Sequence, residues 1–65
     1  MEPKHPEVTI DLIGEDGNAF AILGRVSRAM RRAGIDAEYP AFQAEATAGD
    51  YDNLLMTVTR WFTVA

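Results

Sequence analysis

The stretch NAFAILGRVSRAMRRAG, residues 18–34, decides how this chain folds. Stepping 100° per residue from Phe20 gathers Ala29, Ile22, Ala33, Val26, Met30 and Leu23 into an apolar stripe about 120° wide. Arg25, Arg28 and Arg32 fall within about 60° of one another on the opposite side. Phe20, Gly24, Ser27 and Arg31 form a neighbouring edge. Asn18 is a good N-cap, because its side-chain oxygen can accept from the first unpaired amides. Gly34 stands where a C′ glycine ends a helix, and Arg31 and Arg32 occupy the last turn, where the helix dipole favours cations. The reading is an amphipathic helix with a core stripe and a basic back.

Working outward, residues 7–13 alternate as a strand should, with Val8, Ile10 and Leu12 on one face and Thr9 and Asp11 on the other. Ile13 departs from the alternation, so the strand's end is expected to be covered on both sides. Gly14-Glu15-Asp16-Gly17 breaks it, since glycines permit a tight reversal. Downstream, Asp36 offers a cap and Pro40 is tolerated only in a first helical turn. A short helix is expected from Tyr39 or Pro40 to Ala48, with Tyr39, Phe42 and Ala46 inward. Gly49 ends it and Asp50 caps the next. From Tyr51 the same wheel gathers Trp61, Leu54, Val58, Tyr51, Phe62 and Leu55 within about 120°. Asp52, Asn53 and Arg60 face away, and Met56 falls among the polar residues, exposing a flexible apolar side chain. Phe62-Thr63-Val64-Ala65 suits a short strand, whose natural partner is the strand around Val8 and Leu12. The expected fold is α+β, a single small domain in the order strand, helix, helix, helix, strand, with a two-stranded sheet packed on helices. Residues 1–6 read as a flexible tail and residues 7–65 as the domain.

Sixty-five residues bury only about 60% of the surface their unfolded chain exposes, so the core is marginal. There is no cysteine, which removes disulfides and thiolate metal sites together. The one histidine, His5, lies in the Pro-flanked tail and reads as solvated. A core this small, with Met56 and the strand edges exposed, points to a weak homodimer or to stabilisation by a partner. No apolar run is long enough to span a membrane, and the N-terminus does not read as a signal or transit sequence, so a cytoplasmic protein is expected. The net charge is -4 and the pI about 4.6, which opposes general affinity for nucleic acid or anionic membranes. Yet four of the six basic residues, Arg25, Arg28, Arg31 and Arg32, lie on the one helix.

Catalytic and cofactor patterns fail one by one. The loop Gly14-Glu15-Asp16-Gly17-Asn18 before a helix superficially resembles a phosphate cradle, but it holds two acids and lacks a Walker lysine or a dinucleotide glycine triplet. Counted as a calcium loop from Asp11 or Asp16, its later positions are apolar. Ser27 has no base near it in the pattern, and Asp50 and Asp52 are explained by helix capping. No cofactor or metal is expected, and an enzyme is the weakest of the functional classes.

The arginine face survives this sifting. Residues 18–35 contain no acid, so these cations repel one another by a few tenths of a kcal/mol. Either the face is solvated and partly neutralised by a nearby acid such as Asp36 or Glu38, or it meets a partner. Gly24 in the helix interior costs about 1 kcal/mol relative to Ala. Beside Ser27 it would let another backbone approach; otherwise it is merely tolerated.

The segments Gly14-Glu-Asp-Gly-Asn-Ala-Phe20, Gly24, Arg31-Arg32-Ala33-Gly34 and Glu45-Ala-Thr-Ala-Gly-Asp-Tyr-Asp52, with Leu54-Leu55 and Trp61, resemble a group of small uncharacterised proteins from bacterial, bacteriophage and plasmid genomes. The resemblance covers nearly the whole folded part. It implies a bacterial or mobile-element origin and a cytoplasmic setting, and it carries no catalytic residue with it. The functional expectation is a non-enzymatic accessory or protein-interaction module. Its partner-binding residues would be Arg25, Arg28 and Arg32, the adjacent Gly24 edge with Arg31, and the exposed Met56, meeting an acidic protein surface. The alternatives are nucleic-acid binding through the same arginines, or a phage inhibitor of a host defence protein that uses its acidic surface as a nucleic-acid mimic.

Overall fold

A computed structural model of the protein describes residues 2–12 and 18–65. The element order is β1 (His5–Ile10), α1 (Ala19–Arg32), a 3-10 turn (Asp36–Glu38), α2 (Tyr39–Ala46), α3 (Tyr51–Trp61) and β2 (Phe62–Val64). This is the expected α+β order of one strand, three helices and one strand. The turn expected over 14–17, and Ile13 before it, lie outside the described residues.

Helix α1 begins where Asn18 accepts from the amides of Phe20 and Ala21, at 2.9 and 3.3 Å. It ends in a Schellman motif. The Ile35 amide donates to the Met30 carbonyl at 2.9 Å and the Gly34 amide to the Arg31 carbonyl at 3.1 Å. Gly34 has φ +76°, a conformation that only glycine adopts without strain. Its inward stripe of Ile22, Leu23, Val26 and Met30 is buried, whereas Phe20 on the edge is 85% exposed.

Helix α2 stops at Ala46, two residues short of the expected end. Asn53 supplies the reason and corrects the wheel, which faced it outward. Its side-chain amide is part-buried and donates to the carbonyls of Glu45 and Ala46 at 3.0 and 3.3 Å, joining the Ala48 amide at the first and meeting at the second a carbonyl of the kind a helix end leaves unpaired. A Cβ on Gly49 would stand 3.0 Å from that of Asn53, so a side chain there would press on Asn53 and require it to give by a few tenths of an ångström. Asp36, expected as a cap, instead opens the 3-10 turn and makes no side-chain cap bond.

Helix α3 follows its expectation closely: Asp50 accepts from the Asn53 amide at 3.0 Å, and Leu54, Val58 and Trp61 are buried. Thr57 is buried as well, its hydroxyl donating to the Asn53 carbonyl at 2.7 Å and accepting from Arg60 Nη2 at 2.9 Å. The chain passes without a loop into β2, which pairs with β1 in parallel. Parallel pairing requires a long crossover, and the three helices provide it. The core lies between sheet and helices, with Val8, Ile10, Val26, Met30, Phe42, Val58, Trp61 and Phe62 all buried.

Strand β1 starts two residues earlier and ends three residues sooner than the alternation indicates. His5, read as solvated, is half-buried instead. It stacks on Phe62 with centroids 6.2 Å apart, and its two ring nitrogens face Glu38 at 3.1 Å and Glu7 at 3.4 Å. Pairing with β2 draws it in: the Lys4 amide donates to the Arg60 carbonyl at 3.1 Å, and His5 is in register with Phe62.

Candidate functional site

The arginines of α1 meet the end of β1. In a strand, successive backbone groups point to opposite edges. The Ile10 carbonyl accepts the Ala65 amide at 3.0 Å, so Ile10 faces β2 and its neighbours Thr9 and Asp11 face away. On that far side Arg25 Nη1 donates to the Asp11 carbonyl at 2.8 Å. Arg25 is half-buried, while Arg28 and Arg32 are exposed. Thr9, Ile10, Asp11, Arg25, Arg28, Ala29 and Arg32 enclose an open cleft of about 280 Å³. Thus the helix wheel's grouping of Arg25, Arg28 and Arg32 becomes one wall, and the strand end becomes the other.

The electrostatics are one-sided. Three guanidiniums and one carboxylate line the cleft, and among the described residues neither Arg28 nor Arg32 forms an ion pair. Arg25 does a different job from its neighbours: it holds α1 to the strand, whereas Arg28 and Arg32 present their donors outward.

The other residues singled out in the sequence lie apart from this cleft. Arg31 is exposed and outside the lining. Among the described residues, a Cβ on Gly24 would meet only Arg28 Nη1, at an ordinary 3.7 Å. Met56 is 58% exposed, on α3. The strand wall of Thr9 and Asp11 was missing from the sequence reading, because alternation tells which face a side chain takes but not which edge of the strand is left open.

A second cleft, of about 580 Å³, lies where Lys4 and Glu2 approach α3 and is lined also by Glu45, Thr59, Arg60 and Trp61. Its charges cancel internally. Glu45 accepts from Trp61 Nε1 at 3.3 Å and from Arg60 Nε at 3.1 Å, and the Lys4 ammonium sits 4.1 Å above the Trp61 ring. The Trp61 bond foremost, with the Arg60 bond and the charges of Arg60 and Lys4, holds the Glu45 carboxyl below the usual carboxylate range against the opposite pull of burial. Burial raises the Tyr39 hydroxyl above its ordinary value. Among the described residues no three His, Asp or Glu side chains gather as a metal site requires, and no described helix is long and apolar enough to cross a membrane.

No protein-family model matches the chain, and neither do curated proteins or solved structures.

Proposed function

We propose that this chain is a non-enzymatic protein-interaction module that receives acidic side chains of a partner between the end of β1 and the arginine face of α1. The observation that carries this reading is the placement of Arg28 and Arg32, exposed and without ion pairs among the described residues, on an acid-free helix beside Arg25. A guanidinium offers a planar fork of donors that fits a carboxylate two bonds at a time. The cleft is smaller than the roughly 300–1,000 Å³ that encloses a drug-sized ligand, so it suits side chains reaching in from outside. Nucleic acid carries anions too, but the protein's charge of -4 opposes the long-range attraction that phosphate binding relies on.

The test is the double variant Arg28→Glu/Arg32→Glu, with Arg25 retained because it holds the strand. Exposed charges contribute about 0–1 kcal/mol each, so the variant is expected to melt near the wild type. Calorimetric titration with poly-L-glutamate should then show binding to the wild type and a loss of at least about tenfold in the variant, since complementary charge sets encounter and register. Equal binding by both proteins overturns the reading. So does tighter binding to a DNA duplex than to polyglutamate, with a steep loss as salt rises.

A further inference from the structure

The open cleft has a strand edge for one wall, and that edge narrows what fits it. Resting on the reading above, we infer that the occupant is an extended acidic segment of a partner protein that adds to the free edge of β1 as a strand, placing alternate carboxylates on Arg28 and Arg32.

Among the described residues the sheet has two strands, β1 and β2, in that order. The registers Thr9 with Thr63 and Ile10 with Val64, together with the Ala65 to Ile10 bond, turn the N–H and C=O of Thr9 away from β2. Thr9 is exposed, and no other described strand lies against it. An unpaired edge of this kind is a template for an incoming strand. At Asp11 the edge is closed, because Arg25 occupies that carbonyl. The open part therefore begins at Thr9, two residues before the closure, and continues beside Arg28 and Arg32 in the same cleft.

Spacing and charge then select the sequence of the guest. Arg28 and Arg32 are one turn apart on the face of α1, a rise of about 6 Å at 1.5 Å per residue. Alternate side chains of an extended peptide recur every 6.6 to 6.8 Å or so and point to one face. Acidic residues at every second position thus meet successive arginines, while adjacent acids would send one carboxylate to the opposite face. A nucleic-acid strand has the charge but lacks peptide groups to pair with Thr9. The guest is consequently defined by backbone and charge together.

Four end-capped octapeptides test this on the intact protein: one alternating Glu and Val, one of the same composition with its glutamates in a single block, and two N-methylated forms of the alternating peptide, one methylated on all its glutamates and one on all its valines. The alternating peptide is expected to bind at least about tenfold more tightly than the blocked one, and one of the two N-methylated forms is expected to lose that advantage. Amide exchange at Thr9 should slow on binding, whereas Ile10, already paired with β2, should change little. The variant Thr9→Pro removes only the outward amide, which an edge position tolerates, and is expected to fold and to lose the alternating peptide. Should it unfold, the N-methylated peptides decide the matter without altering the protein. Equal binding of the alternating and blocked peptides with Thr9 exchange unchanged, both lost in Arg28→Glu/Arg32→Glu, overturns strand addition and leaves the arginine cleft standing. Binding that survives the double variant overturns both.

Discussion

Asn53 does three things at one position: its amide is capped by Asp50, its carbonyl accepts from Thr57, and its side chain donates to the last carbonyls of α2. Asn53→Asp keeps the shape and replaces the one donating nitrogen, Nδ2, with an acceptor oxygen turned toward two carbonyls. Leaving such groups unsatisfied costs about 1–3 kcal/mol, and in a domain of this size each kcal/mol moves the melting temperature by about 4–8 °C. A thermal melt of this variant is expected to fall accordingly, and an unmoved transition would show that the amide does not hold the helix end. The sequence concealed this role because a helical wheel sorts residues by polarity. A polar side chain that reaches across to a neighbouring helix looks the same on the wheel as one in water. Gly34 was legible for the opposite reason, since the Schellman ending depends on local backbone alone.

At the scale of elements, α1 and α3 were readable from their apolar stripes and caps because burial and capping act within a dozen residues, whereas α2, which has no side-chain cap, was readable only from Pro40 in its first turn and from the inward Phe42 and Ala46. Helix α3 supplies the sharpest contrast. Trp61 packs edge-on against Phe42, with centroids 5.6 Å apart and an interplanar angle of 84°, and Met56 lies on the opposite side of the same helix, exposed. Trp61→Ala is therefore expected to cost about 3–5 kcal/mol, enough to unfold much of a domain so small, whereas Met56→Ala should stay within about 0.5 kcal/mol. Paired chemical denaturations check this, and similar midpoints for the two variants would contradict the packing. The strands were less legible. Their limits are set by pairing with residues far along the chain, which is why β1 takes in His5 and stops at Ile10. The candidate site divides the same way: its arginines follow from the wheel, while the strand edge facing them follows only from knowing on which side β2 lies.

For the molecule as a whole, acid is a probe of how the N-terminal segment, α2 and α3 are joined around Glu45. Its carboxyl sits below the ordinary range when folded, through the Trp61 bond first. The unfolded chain therefore binds more protons than the folded one between the two values, and stability rises with pH across that window. The contribution is complete above the ordinary carboxylate value of 4.5 and is lost as pH falls through the lower, folded value. Melts from neutral pH down to about pH 3 are expected to decline less steeply for Glu45→Gln than for the wild type. A steeper decline in the variant would reverse the assignment. The parallel sheet has a further consequence, in time. The Thr63 hydroxyl reaches the Pro6 carbonyl across 57 positions of sequence, so β1 is synthesised well before its partner strand exists. At about 5–20 residues per second the wait is roughly three to eleven seconds. For the part of it that follows β1's emergence from the ribosome, both edges of β1 are open to whatever extended chain passes by, so newly made protein is more exposed to wrong pairings, and to early capture by its own partner, than the finished molecule ever is.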